Sequence, residues 1–142
     1  MPRPALVAKV LLLPYLAAVL LITLLPADAA GRVTGLVGVL ADLVAGWGVP
    51  REPAAVAFEF LANVALFVPL GVLLSLAWPR LSPWLVIGAG FVLSGAIELT
   101  QFTLPSRFPT VGDVVANTTG AAIGYAAVAW WRLRRLSRSP VE

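Results

Sequence analysis

Four apolar stretches, each long enough to cross a lipid bilayer, restrict what this chain can fold into more than any other feature. They cover residues 5–26, 53–78, 83–104 and 111–131. At about 1.5 Å of rise per residue they give helices of roughly 31 to 39 Å, against a hydrocarbon core of roughly 30 Å. Lipid offers backbone N–H and C=O groups no partners, so each stretch is expected to be a helix that satisfies its own. The chain has 142 residues, 60% of them hydrophobic and 12% charged, with a mean hydropathy of +0.93. Soluble domains carry about a quarter charged residues, so a water-soluble fold is all but excluded. The expectation is one all-α membrane domain over residues 1–142: four transmembrane helices and a basic tail at 132–142. It contains no internal repeat or low-complexity segment.

The chain holds no cysteine and no histidine. Disulfides, thiolate nucleophiles, the usual general base and the usual zinc ligands are therefore absent, and neither a metal nor a cofactor is expected. Any chemistry must use carboxylates, amides, hydroxyls and arginine. Arg3, Lys9, the apolar run and Ala27-Asp28-Ala29 imitate a secretory signal with its small-residue cleavage site. The run from Val10 to Leu25 is at the upper limit for a signal core, and apolar character already begins at Ala5. The first span is therefore read as a retained helix.

The separators Trp78-Pro79-Arg80-Leu81-Ser82-Pro83 and Leu104-Pro105-Ser106-Arg107-Phe108-Pro109 read as short loops between antiparallel helices. Alternating the loops places Arg3, Lys9, Arg80, Arg132, Arg134, Arg135 and Arg138 on one side and Arg32, Arg51 and Arg107 on the other. That asymmetry predicts both termini in the cytoplasm of a multi-pass plasma-membrane protein. Trp130 and Trp131, followed by arginines, form the expected anchor in anionic lipid at the inner interface. The pI of 10.2 reflects only ten cations against seven acids and does not suggest nucleic acid as a partner. Between the first two spans, Val33, Leu36, Val37, Leu40, Leu43, Val44 and Trp47 recur at helical spacing. They predict a short amphipathic helix on the outer membrane surface, or a lid packed on the bundle.

An acid at the centre of a transmembrane helix costs about 2.5 to 3.5 kcal/mol on insertion scales, so each one needs a reason. Glu59 and Asn63 share a face of the second span, Ser94, Glu98 and Gln101 a face of the third, and Asp113 and Asn117 a face of the fourth. In the expected topology all lie in the outer half, with Glu59, Glu98 and Asn117 about 9 Å deep and Asn63 about 15 Å. Arg107, in the loop above them, is the cation able to reach down. The inner half is nearly free of ionisable groups, which argues against a continuous ion path. Structural readings stand beside the functional ones. Thr110-Val-Gly-Asp113 has the spacing of a capping box. Asn63, Gln101 and Asn117 suit interhelical hydrogen bonds, and Arg107 suits an ion pair with Glu98. Gly120 with Gly124, and Gly90 with Ser94, suit close helix contact. Pro69 and Gly71 suit a kink that widens a cavity toward the outside.

Three ordered motifs carry a resemblance: Asn63-Val-Ala-Leu-Phe-Val-Pro69-Leu-Gly71, then Glu98-Leu-Thr-Gln101, then Arg107-Phe-Pro-Thr-Val-Gly-Asp113-Val-Val-Ala-Asn117-Thr-Thr-Gly120-Ala-Ala-Ile-Gly124. Together, with Thr23-Leu-Leu-Pro26 closing the first span, they resemble the VanZ-like family of small bacterial membrane proteins. The resemblance implies four transmembrane helices and a link to low-level resistance to the glycopeptide teicoplanin, which acts on the cell wall. One departure is Thr110, where the family often carries an acid three residues after the arginine.

Two functional classes use the same residues. In the binding class, Glu59, Asn63, Glu98, Gln101, Arg107, Asp113 and Asn117 line a polar pocket for the head group of a membrane lipid, a lipid-linked cell-wall precursor or a lipoglycopeptide. Arg107 is then the anion anchor, since guanidinium meets phosphate or carboxylate by paired hydrogen bonds. In the catalytic class, Glu98 with Asp113 or Glu59 forms a carboxylate acid/base pair acting on a lipid head group. No activated nucleophile or complete metal-ligand set accompanies them, so catalysis ranks second. A purely structural bundle subunit would leave the membrane-embedded glutamates unexplained.

Overall fold

The structure is a computed structural model that describes residues 3–24, 27–104 and 110–137. Arg107 and Arg138 lie outside the described residues, as do the side chains of Arg3, Arg32 and Val33. The described chain forms five helices: α1 (Arg3–Leu24), α2 (Ala27–Ala45), α3 (Arg51–Ala77), α4 (Pro83–Gln101) and α5 (Val111–Leu136). No strand occurs among the described residues.

The helix starts follow local chemistry. Ser82 caps α4, its hydroxyl accepting the Leu85 N–H, and Pro83 follows at the first helical position, where its missing N–H costs nothing. Thr110 caps α5 in the same way through the Asp113 N–H. Helices α1, α3 and α4 are long and apolar enough to cross a membrane. The fourth expected span, α5, is long enough but not apolar enough by composition, because Asp113, Asn117, Thr118 and Thr119 interrupt it and three arginines end it. Its buried residues, Ala116, Asn117, Gly120, Ala121, Gly124 and Val128, form one face turned into the bundle.

Helix α3 packs against every other helix, and most extensively against α5. Gly120 rests on Val64 and Phe67, and Gly124 rests on Val68 and Val72, so α3 and α5 run parallel. The backbones meet directly: a Cβ at Gly120 would overlap the Val64 carbonyl oxygen, and one at Gly71 would overlap that of Ala121. The small-residue pair thus makes the close contact expected from its spacing. Gly71 belongs to the same contact, and α3 continues as helix through Pro69 to Ala77. At Gly71, where the sequence suggested a kink, the structure places a packing site for α5.

Helix α4 lies antiparallel on the other side of α5, with Gly90 against Ala121. Helix α1 packs on α3, placing Val19 in a core with Phe67, Leu70 and Ile97. Its Tyr15 hydroxyl donates to the Leu66 carbonyl at 2.7 Å. Lys9 sits over the Trp78 ring, and Arg132 donates to the Ser75 carbonyl at 2.6 Å, capping the end of α3. Lys9, Arg80, Arg132, Arg134 and Arg135 therefore collect at one end of the bundle, hereafter the basic end. The opposite, polar end carries α2, which begins earlier than its apolar stripe suggested and packs on α3, with Asp42 paired to Arg51. The expected stripe does not act as one face. Ala41 is fully buried and Val37, Leu40 and Val44 are half-buried, whereas Leu36, Leu43 and Trp47 are exposed, Trp47 by 84%. The buried seam includes a small residue because α2 lies close along α3.

Replacement of Gly120 by alanine is expected to destabilise the protein by about 1 to 3 kcal/mol through overpacking against backbone. Gly95, which faces open space, should instead gain up to about 1 kcal/mol as alanine from helix propensity. Melting in detergent compares the two, and equal effects would show that the α3–α5 contact is not tight.

Candidate functional site

The polar residues converge because α5 lies between α3 and α4. Asn117 opposite Ser94 and Ala121 opposite Gly90 fix the antiparallel register of α5 on α4, and the same register sets Asp113 level with Glu98. On the other side Asn63 Nδ2 donates to Asp113 Oδ1 at 2.5 Å, joining α3 to α5. Glu98 Oε2 accepts the backbone N–H of Thr110 at 2.9 Å, joining α4 to the start of α5. Asp113 is close enough to Glu98 to act on it electrostatically. One turn deeper, Asn117 Nδ2 donates to Ser94 Oγ at 2.8 Å.

These bonds divide the capping box between two helices. The Thr110 hydroxyl accepts the Asp113 N–H at 3.1 Å, as the spacing predicted. The return half of the box would bring the Asp113 carboxylate to the Thr110 N–H. Glu98 takes that donor instead, and Asp113 is released to receive Asn63. A local cap has become an interhelical junction: the Thr110 half of the box is kept, and the Asp113 carboxylate bonds to Asn63 instead of the helix start.

Of the expected site residues, Asn63, Glu98, Asp113 and Asn117 come together. Glu98 is only 9% exposed and Asn117 only 3%. Gln101 is buried at the edge of the group and donates to the Thr23 carbonyl at 2.8 Å, tying α4 to α1. The three amides all make interhelical hydrogen bonds, the structural role open to them from the sequence. Glu59, on the turn of α3 preceding Asn63, is exposed and bonds to no other described residue. Arg107 lies outside the described residues.

The sequence did not single out Thr118, whose buried hydroxyl, like Asn117 Oδ1, has no hydrogen-bond partner among the described residues. Its position beside Asn117 was the available signal. Tyr15 was also missed, although a phenol within an apolar run requires a partner for its hydroxyl. Each carboxylate keeps acceptor capacity beyond the single bond described. Apart from that of Thr118, the described hydroxyls at the polar end bond to backbone or to Asn117, and none is held by a carboxylate as a nucleophile would be. The cluster is therefore equipped to accept hydrogen bonds from a ligand.

A family model described as VanZ/LLP1 matches residues 12–132. The match covers most of the chain and all of the cluster, so the chain belongs to the VanZ/LLP1 family. With its apolar spans, it is a membrane protein. No curated protein and no solved structure is significantly similar to it.

A double-mutant cycle on Asn63→Ala and Asp113→Ala should return a coupling of about 0.6 to 1.7 kcal/mol in detergent melting, the range for interhelical hydrogen bonds in a membrane. A coupling near zero would mean that the two side chains do not meet.

Proposed function

We propose, with membership of the VanZ/LLP1 family as the premise, that this is a four-span plasma-membrane protein with both termini in the cytoplasm. Its polar end faces outward and binds the head group of an anionic lipid, a class that includes lipid-linked cell-wall precursors and lipoglycopeptides. The observation that carries this reading is the level placement of Glu98 and Asp113 on adjacent helices, linked to α3 through Asn63.

Several features support it. Helix α5 can serve as the fourth span despite its composition, because Asn117 and Asp113 bond to α4 and α3 and need not meet lipid. The grouping of Lys9, Arg80, Arg132, Arg134 and Arg135 at one end agrees with an inner face that follows the positive-inside rule. Arg107 precedes Thr110 by three residues, and Glu98 holds the Thr110 N–H. The arginine is thus tethered in sequence to the cluster, where it would anchor phosphate or carboxylate. Glu59, Asn63, Gln101 and Asn117 complete the proposed site. A protein of this kind would contribute to teicoplanin resistance by changing how the drug or its target is presented. The level carboxylates also suit the second reading, in which Glu98 and Asp113 act as an acid/base pair on the head group.

Bound-lipid mass spectrometry on the purified protein and on Arg107→Ala tests the proposal. An unchanged lipid that co-purifies with the parent and is lost from the variant is the expected result, and retention in the variant would overturn Arg107 as the anchor. A chemically altered lipid would favour the enzyme. For the topology, Ser106→Cys should be labelled by an impermeant thiol reagent in intact cells and Ser139→Cys should not. The reverse pattern would turn the site inward.

A further inference from the structure

Helices α1 and α5 both pack on α3 and leave a cleft between them on its surface. Toward the basic end the cleft is a cavity of about 390 Å³, bounded by Pro4, Leu76, Ala127 and Trp131. Toward the bundle centre a second cavity of about 560 Å³ lies between α1 and α3, bounded by Leu11, Pro14, Tyr15 and Pro69. Val72 lines both, so they adjoin on α3 and together follow α1 as a groove. Pro4, Leu11 and Tyr15 recur at seven- and four-residue intervals, so they lie along one face of α1. From Pro4 to Tyr15 that face covers about 16 Å at 1.5 Å per residue, close to half of a hydrocarbon core of about 30 Å. The groove is as long as one leaflet is thick.

Its chemistry is uniform along that length. The one polar side chain in its wall, Tyr15, turns its hydroxyl to the Leu66 carbonyl and presents its ring. At the mouth, Trp131 carries the Arg135 guanidinium 4.2 Å from its ring centroid. Stacking occupies the face of a guanidinium and leaves its in-plane N–H donors pointing outward, in the arrangement that meets a phosphate. The described carboxylates of Asp42, Glu52, Glu59, Glu98 and Asp113 all belong to the polar end, so none competes for Arg135.

We propose that this groove holds an acyl chain of an anionic phospholipid from the leaflet at the basic end, with the lipid phosphate bound by Arg135. This site lies at the opposite end of the bundle from the polar cluster and does not depend on the function proposed there. The neighbouring pair supplies an internal control. Arg134 stacks on Trp130 at 3.8 Å, but Trp130 does not line the groove. Arg134→Gln and Arg135→Gln therefore remove the same charge, and only the second alters the groove mouth.

The full chain in detergent is titrated with phosphatidylglycerol or phosphatidylcholine of matched chains, and occupancy is read by native mass spectrometry. The parent should prefer phosphatidylglycerol by about fivefold, the effect of one arginine near an anionic head group. Arg135→Gln should lose the preference and Arg134→Gln should keep it. Ala127→Phe, which fills the groove wall, should lower occupancy by both lipids at an unchanged melting temperature. Equal losses in the two arginine variants would overturn the proposal in favour of a diffuse basic surface. Undiminished binding to folded Ala127→Phe would overturn the acyl-chain groove. If Ala127→Phe does not fold, the arginine pair decides.

Discussion

The direct backbone contact of α5 with α3 is the condition on which the rest of the structure depends. Lipid chains are as apolar as leucine, so helices in a bilayer gain little from hiding apolar surface, and close approach must supply the attraction. Gly120 and Gly124 allow it from α5, and Gly71 allows it from α3. The contact also solves a problem of composition. Helix α5 is the most polar of the long helices, and its Asp113 and Asn117 would each be costly against lipid. Seated between α3 and α4, the same residues become the bonds that hold the helices in register.

Those bonds form a closed circuit. Tyr15 joins α1 to α3, Asn63 joins α3 to α5, Asn117 and the Thr110 N–H join α5 to α4, and Gln101 joins α4 back to α1. A single interhelical hydrogen bond in a membrane contributes about 0.6 kcal/mol on average, so the circuit acts more on geometry than on total stability. A slip of any one helix by a turn would break two of its links. Helix α5 is held at both ends, by Glu98 at its start and by the Arg132 contact with the carbonyls that end α3. The position of the two carboxylates is set by this frame.

Much of this was legible in the sequence, and what was not has a physical reason. The spans were visible because lipid demands long apolar runs, and α1, α3 and α4 appear within a few residues of their expected limits. The close contact at Gly120 and Gly124 followed from helical spacing, whereas the depth count set Glu98 level with Asn117 and the packing sets it level with Asp113, one turn away. Neighbour relations did not follow. Spacing says that Asn63 needs a partner, but only the packing of α5 between α3 and α4 makes that partner Asp113. The packing of α5 on Gly71 did not follow either, because a glycine near a proline in a helix looks the same whether or not a neighbour rests on it. The seam of α2 did not follow because Ala41 looks neutral in a hydropathy pattern, although it is fully buried. The groove along α1 and α3 was invisible, since its walls are ordinary apolar residues distinguished only by the absence of a neighbour.

The proposed outer site also constrains its ligand. Glu98 and Asp113 lie level on adjacent helices, each already holding one protein donor, and Glu59 stands exposed one turn above Asn63. Carboxylates so arranged repel a bare phosphate and attract N–H and O–H groups. On the proposed reading, Arg107 is then the group that meets the anion, and the carboxylates meet hydroxyl, amide or amine donors elsewhere on the same head group. A head group that carries sugar or amino-acid substituents beside its phosphate satisfies both requirements. A plain phosphatidic acid satisfies only the first, and it would leave the acidic side of the cluster facing a like charge. The division of labour within the bundle follows from this difference. The basic end can hold an anionic lipid by charge and chain alone, whereas the polar end must recognise the chemistry of what it binds.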